Sequence, residues 1–120
     1  MSYSVYLYNP LVREEVERGQ DIDAFAHPQI NRDAVAEFLV GLEQCGYSLQ
    51  LKNAERQVFK KSIGDAVVEV DVYDTEIGFS VASGDKEAIF EALQDASELC
   101  DAEHMVLYDP QAGGWQKLVI

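Results

Sequence analysis

The sequence predicts a single α+β domain in which two helices cover one face of a mostly antiparallel sheet, as in a two-layer α/β sandwich. Two segments repeat apolar residues every three or four positions, as helices do, and several shorter segments alternate apolar and polar residues, as strands do. Runs of strands lie on either side of each helical segment. With 120 residues, 48% of them hydrophobic, residues 1–120 are expected to fold as one domain around one core.

The first predicted element is a strand at Tyr3–Tyr8, where polar positions alternate with apolar or aromatic ones until Asn9-Pro10. The following segment, Leu11–Gln29, is predicted to be a long and mostly irregular connection that carries one helical turn. A longer helix is not expected there, because Gly19 and Pro28 interrupt the segment. A connection of this length is either a functional loop or a solvated excursion.

The first helix is predicted between Asn31, which suits the N-cap, and Gly46, which suits the position just past a helix end. Its apolar positions are Val35, Phe38, Leu39, Leu42 and Cys45. Two antiparallel strands are predicted after it, at Tyr47–Leu51 and Gln57–Ser62, with a turn between them.

The segment Val68–Tyr73 places three valines on one face and Glu69, Asp71 and Tyr73 on the other, which is typical of a strand buried on one side. The alternation resumes at Ile77–Val81. The residues between the two segments therefore form a hairpin turn, which we favour, or a bulge within one long bent strand.

The second helix is predicted to open at Gly84-Asp85 and to run to Cys100, with an alanine-rich apolar stripe. A strand at His104–Tyr108, a turn at Asp109–Gly114 and an edge strand at Trp115–Ile120 complete the chain. Right-handed crossovers would place both helices on the same side of the sheet, in a ferredoxin-like order or an elaborated variant of it.

Charge is the most unusual property of the sequence, with 22 acidic and 9 basic side chains and a formal net charge of -13. Such a field repels phosphate backbones and anionic lipid, so the predicted partner is a basic protein and neither nucleic acid nor a membrane. The alternative is that the carboxylates only keep a small protein soluble. A cytoplasmic location is predicted, because no basic and apolar leader and no membrane-spanning apolar run is present.

The reactive side chains do not form a recognisable catalytic motif. His27 and His104 are the two histidines, and no serine lies in a glycine-flanked elbow. Cys45 and Cys100 fall at apolar helix positions and are expected to be core thiols in a reducing compartment. The sequence therefore predicts no catalytic residue and a protein that is not an enzyme.

Metal and cofactor sites are not predicted either. Asp71, Asp74 and Glu76 resemble part of a calcium loop, but the helical frame and the glycine of such a loop are missing. Gly113-Gly114 lacks the lysine and the helix that follow the glycines of a phosphate-binding loop.

The acidic residues are concentrated on the second helix and its flanks. These residues are Asp85, Glu87, Glu91, Asp95, Glu98, Asp101 and Glu103, interrupted by the single base Lys86. Like charges four or three residues apart weaken an isolated helix by roughly a few tenths of a kcal/mol per pair. Glu98 and Asp101 also lie at the helix end that favours cations.

A local rule that is broken without local gain indicates a functional surface. The alternative is that the apolar stripe anchors the helix well enough to tolerate the repulsion. The predicted partner-binding residues on the helix are Glu87, Glu91, Asp95, Glu98 and Asp101. A second acidic surface is predicted on the uncovered sheet face, at Glu69, Asp71 and the aromatic Tyr73.

Several segments together resemble small bacterial immunity proteins, which are paired with polymorphic toxins, including those of contact-dependent growth-inhibition systems. The segments are Tyr3–Tyr8, Val68–Tyr73, the alanine-rich acidic helix and Val106–Gln111. The resemblance implies a small acidic cytosolic domain that binds and neutralises a toxin domain. It assigns no binding residue by position.

Charge and resemblance together predict an immunity-type protein that occludes a basic toxin domain, such as a nuclease. Two other classes remain open. A small-ligand-sensing module that dimerises through its sheet would form a symmetric homodimer and would melt in a ligand-dependent way. A small enzyme would depend on His27 or His104.

Overall fold

The computed structural model of the chain describes residues 3–22, 24–82, 85–103, 105–110 and 114–116. Its elements within these ranges are, in chain order, β1 (Tyr3–Tyr8), α1 (Pro10–Glu17), α2 (Arg32–Gln44), β2 (Ser48–Lys52), β3 (Gln57–Ile63), β4 (Ala66–Val72), β5 (Glu76–Val81), α3 (Lys86–Ala102), β6 (Val106–Asp109) and β7 (Gly114–Gln116). The predicted α+β class is confirmed.

The strands form one sheet in the order β2-β3-β4-β5-β1-β6-β7, and each pair of neighbours is antiparallel. One cross-strand row joins Val5, Phe79, Val70 and Phe59, which lie opposite one another in register. Side chains in such a row point to the same face of the sheet. This face is therefore apolar across four strands, and all four side chains are buried.

Helices α2 and α3 supply the rest of the core on that face. Helix α3 contacts β1, β4, β5 and β6, and the Phe38 ring of α2 packs edge-to-face on Phe79 with 6.1 Å between ring centroids. The two helices also approach each other closely at Gly41, where a side-chain methyl group would overlap Leu99. The glycine thus allows both helices to share one core.

Local sequence signals placed α2 and the β4–β5 hairpin correctly. The Asn31 side chain accepts hydrogen bonds from the backbone N–H groups of Asp33 and Ala34 at 2.8 and 3.3 Å, as an N-cap does. Gly46 follows the helix with φ of 97°, a conformation that favours glycine. The hairpin is confirmed, since β4 pairs with β5 and the Tyr73 N–H donates to the Glu76 carbonyl at 2.8 Å.

The predicted Leu11–Gln29 connection is wrong in part, because its first half is the two-turn helix α1. Asn9 caps this helix by accepting from the Leu11 N–H at 3.0 Å, and proline occupies its first turn. Val12 is fully buried, so one side chain of α1 is held by the fold. Residues 18–22 and 24–29 form neither helix nor strand.

The ends of the chain differ from prediction by a few residues. Strand β6 is Val106–Asp109 and β7 is Gly114–Gln116, which lies at the sheet edge as predicted. Gly84, His104 and residues 117–120 fall outside the described residues. Of the helices that the structure describes, none combines the length and apolar composition that a membrane crossing requires.

Candidate functional site

The acids of α3 meet a lysine from the sheet. Lys61 of β3 points to the helix side, and its Nζ lies 2.6 Å from Oε2 of Glu91 and 3.2 Å from Oδ2 of Asp95. The Tyr47 hydroxyl donates to the same Asp95 oxygen at 2.9 Å, and the ammonium lies 5.1 Å from the centroid of the Tyr47 ring. We call these four residues the Lys61 network. The network ties α3 to β3 and to the residue just before β2.

The Lys61 network explains why α3 tolerates stacked acids. Asp95 is only 8% exposed, so the expectation that it stands with the exposed acids of the helix does not hold. Four carboxylates follow one another along α3 at spacings of four, four and three residues, namely Glu87, Glu91, Asp95 and Glu98. Two of them, Glu91 and Asp95, are paired with Lys61, which lies 30 or more residues away in the chain. The repulsion between the acids of α3 is therefore offset in part by a tertiary contact with Lys61 of the sheet.

The surroundings of the Lys61 network favour the charged form of its lysine and the protonated form of its tyrosine. Burial raises the pKa of Tyr47, and the charge of Asp95 and the hydrogen bond to it raise it further. Burial lowers the pKa of Lys61, but its hydrogen bonds to Glu91 and Asp95 and the negative charges of these two acids together outweigh that effect and leave the pKa above its ordinary value. Burial, followed by the charge of Asp95, raises the pKa of the nearby Cys45 thiol. At neutral pH the lysine is charged and the phenol and thiol keep their protons, so none of these three groups is an activated nucleophile.

A groove of about 540 Å³ opens beside the network, between α3 and the end of β3. Its lining residues are Ile63, Lys86, Glu87, Phe90, Glu91 and Gln94. We call it the Phe90 groove, because the Phe90 side chain is 68% exposed, more than any other exposed large hydrophobic residue described. Glu87 is exposed and makes no hydrogen bond or ion pair with any residue that the structure describes. The groove therefore joins an exposed aromatic ring to an unpaired carboxylate.

The second predicted surface, at Glu69, Asp71 and Tyr73, lies on the opposite side of the sheet from α3. Val68 and Val70 of the same strand are fully buried in the core that contacts the helix, so Glu69 and Asp71, which alternate with them, face away from it. The two predicted surfaces are thus separate, and the structure does not join them into one site.

The outer sheet face also has more basic neighbours than the sequence pattern indicated. Nζ of Lys60 lies 3.7 Å from Oε1 of Glu69, and Nη1 of Arg56 donates to the Tyr73 hydroxyl at 3.4 Å. These side chains compensate part of the negative charge. The remaining predicted helix residues are Glu98, which is exposed, and Asp101, which lies in α3 with its side chain outside the described set.

Sequence reasoning missed an aromatic cluster on this outer face. The Tyr8 ring meets His27 at 5.1 Å and Trp115 at 6.1 Å between centroids, and Phe25 lies 5.1 Å from His27. Nε2 of His27 also lies 2.5 Å from the Ile22 carbonyl oxygen. His27 is thus packed against β1 and against Ile22 and Phe25 of the connection that follows α1. In the sequence, the signal for this second packed face is the alternation of Tyr6 and Tyr8 in β1.

Asp71 is half-buried, and only one of its two carboxylate oxygens lies near a cation. Its Oδ1 atom is enclosed and finds no hydrogen-bond donor among the described residues, and its Oδ2 atom lies 3.8 Å from Nη1 of Arg56. Burial raises the pKa of Asp71, and the Glu69 carboxylate raises it further through its charge and a hydrogen bond to the protonated acid. The folded protein therefore holds a proton on Asp71 more tightly than the unfolded chain does.

We expect Asp71→Asn to stabilise the protein at neutral pH. Because folding raises the pKa, the favourable contribution of Asp71 is fully present below about pH 3.9, the usual pKa of aspartate, and is lost as the pH rises through the raised value. At pH 7 the wild type carries the unfavourable ionised form, which the amide avoids. The free energy of unfolding at pH 7 should rise by up to about 1 kcal/mol, and the gain should shrink as the pH falls toward 4.

Urea denaturation over a range of pH measures this difference. Glu69→Gln is the matched control, because it removes the neighbouring charge while the burial of Asp71 remains, and it should give a smaller gain. A gain for Asp71→Asn that is the same at pH 7 and pH 4 would show that ionisation of Asp71 is not its cause.

Within the described part of the chain, no group of three or more His, Cys, Asp or Glu side chains is placed to hold a metal ion. Comparison with known proteins finds no matching family model, no matching curated protein and no matching solved structure. The geometry of the chain itself is therefore the basis for any functional assignment.

Proposed function

We propose that this chain is an immunity-type binding protein, which neutralises a cognate basic toxin domain by covering its functional surface. The observation that supports the proposal best is the Phe90 groove. Protein interfaces draw most of their affinity from a few aromatic or charged anchors, and a large apolar ring that is 68% exposed on a well-anchored helix has the character of such an anchor.

The charge of the chain supports a basic partner. A net charge of -13 attracts a positively charged surface over distances of about 10 Å at moderate salt and speeds the encounter. Nucleases carry such surfaces because they hold polyanionic substrates. A partner of this kind would be occluded by a domain that docks across its substrate groove.

The Lys61 network supports the choice of α3 as the docking element. It fixes Glu91 and Asp95 on β3 by contacts of 2.6 and 3.2 Å, so the helix presents Glu87 and Phe90 from a rigid base. A rigid anchor loses less side-chain and backbone freedom on binding than a mobile one. In this proposal Glu98 belongs to the rim, while buried Asp95 holds the helix in place.

We also propose a specific fold type within the α+β class, based on the order of the strands and helices. The strand order β6-β1-β5-β4, with α2 following β1 and α3 following β5, corresponds to the ferredoxin-like order, and the hairpin β2-β3 and strand β7 extend it at both edges. We assign the chain to an elaborated ferredoxin-like two-layer sandwich on this basis.

The proposal is tested with the reading frame directly upstream of this chain. We expect that frame to encode a large secreted protein with a basic C-terminal domain, whose toxicity is relieved when this chain is co-expressed. Phe90→Ala should weaken binding by about 2 kcal/mol or more, which is roughly a 30-fold rise in Kd, because the interface loses its aromatic anchor. Isothermal titration calorimetry with the purified domain measures the change.

Val40→Ala is the control for Phe90→Ala, because Val40 is 53% exposed on α2 and lies outside the groove. It should leave the Kd unchanged within a factor of about two. The proposal fails if the domain stays toxic in the presence of the folded chain. The choice of α3 fails if Phe90→Ala and Val40→Ala bind equally well.

A further inference from the structure

We propose that the Phe90 groove receives a single arginine side chain, whose guanidinium group is bound by Glu87. The inference rests on the proposed function and deepens it, since it names the partner group that the groove recognises. It is carried by three properties of the groove, namely its free carboxylate, its aromatic wall and its remaining charges.

The free carboxylate is Glu87. The groove is lined by two acids, but Oε2 of Glu91 already accepts a hydrogen bond from Lys61 at 2.6 Å. Glu87 has no partner among the described residues and is exposed. A cation that enters the groove therefore finds in Glu87 a carboxylate that no described cation contacts, whereas Glu91 shares Lys61 with Asp95.

The aromatic wall favours arginine over lysine. Phe90 lies three residues after Glu87 in α3, so the two side chains share one face of the helix. A guanidinium group is planar and weakly hydrated, and it can stack on an aromatic ring while it donates two hydrogen bonds to one carboxylate. An ammonium group offers no such flat surface. The methylene groups of the arginine side chain would pack on Ile63, which lines the same groove.

The remaining charge limits the groove to one cation. Lys86 also lines it, and its positive charge repels every cation that enters; attraction by Glu87 offsets this repulsion for the first basic side chain, but a second would find Glu87 already paired. Gln94 lies on the far side of Phe90 from Lys86 in the helix and adds polar groups without charge. The groove is thus suited to one arginine and the short stretch of backbone that carries it.

The experiment titrates the ¹⁵N-labelled chain with the peptide acetyl-Gly-Arg-Gly-amide and follows amide shifts by NMR. The matched probe carries citrulline, which has the shape of arginine without its charge. We expect shifts clustered at Ile63, Glu87, Phe90 and Gln94, a Kd on the order of 1–10 mM, and at least about fivefold weaker binding of the citrulline peptide. A lysine peptide should bind more weakly than the arginine peptide.

Three variants locate the binding site. Glu87→Gln should remove most of the arginine preference, and Phe90→Ala should weaken binding of the arginine peptide. Glu37→Gln is the control, because it removes an exposed acid of α2 that does not line the groove, and it should change the Kd by less than about twofold.

The inference is overturned if arginine and citrulline peptides bind alike, or if Glu37→Gln weakens binding as much as Glu87→Gln does. The second result would mean that the acidic surface attracts cations without a defined site. Either failure is distinct from failure of the proposed function, because neutralisation of the toxin domain and its loss in Phe90→Ala are measured with a different binding partner.

Discussion

Lys61→Met should lower the free energy of unfolding by about 2 to 4 kcal/mol, and should lower Tm by roughly 10 °C. The side chain of Asp95 is only 11% exposed, and it would keep its charge while losing the ammonium 3.2 Å away. The Tyr47 hydroxyl still donates to it at 2.9 Å, so the carboxylate is partly compensated and the loss stays below that of an isolated buried charge. Glu91, which is 41% exposed, can turn to water.

The matched control for Lys61→Met is Lys60→Met in the neighbouring position. Lys60 is 47% exposed and its Nζ lies 3.7 Å from Glu69 on the outer face, so its loss should cost no more than about 0.5 kcal/mol. The double variant Lys61→Met/Asp95→Asn should recover more than half of the lost stability, because the uncompensated charge is gone. Equal losses in the two lysine variants, or no recovery in the double variant, would contradict a role for the Lys61 network in stability.

Phe79→Ala should be the most destabilising of the core variants considered, with a loss of about 3 to 5 kcal/mol. Phe79 is 1% exposed on the central strand β5. Its ring packs edge-to-face with both Phe38 of α2 and Tyr47, at 6.1 Å between centroids in each case. Removing the ring would leave a cavity where the helix layer meets the sheet and would weaken the support of Tyr47 in the Lys61 network.

Phe90→Ala provides the matched control, because it makes the same chemical change at a side chain that is 68% exposed. Its effect on the free energy of unfolding should be within about 0.5 kcal/mol. Urea denaturation of both variants measures the contrast, and Phe79→Leu, with an expected loss of about 1 to 2 kcal/mol, serves if Phe79→Ala does not fold. Similar losses for Phe79→Ala and Phe90→Ala would contradict the assignment of core and surface. The same measurement checks that Phe90→Ala remains folded in the binding experiments.

Much of the fold could be predicted because its signals are local. The N-cap of α2 depends on Asn31 and on backbone groups two and three residues later, and the alternation of Val68–Tyr73 reflects one strand with one buried face. Helix α1 was underestimated because Gly19 and Pro28 indicate breaks, whereas the burial of Val12 that holds α1 depends on contacts outside the segment.

The candidate site could be predicted only in part. The sequence indicated Glu87, Glu91 and Glu98 as helix acids, and α3 does carry them at its surface. It did not indicate Phe90, because an aromatic residue beside Ile89 and Leu93 has the composition of a core stripe. Whether that ring is buried or exposed depends on how α3 is rotated about its axis when it packs on the sheet.

The sequence by itself determined the class of fold, the position of the two long helices and the strongly acidic charge, because periodicity, capping and composition are properties of short segments. Only the tertiary structure decided which acids are paired or buried and which are exposed. It brought Lys61 against Glu91 and Asp95, placed Glu69 and Asp71 on the opposite side of the sheet, and left Glu87 beside Phe90. The physical reason is that the role of a carboxylate depends on the charges and the water around it, and residues far apart in the chain supply both.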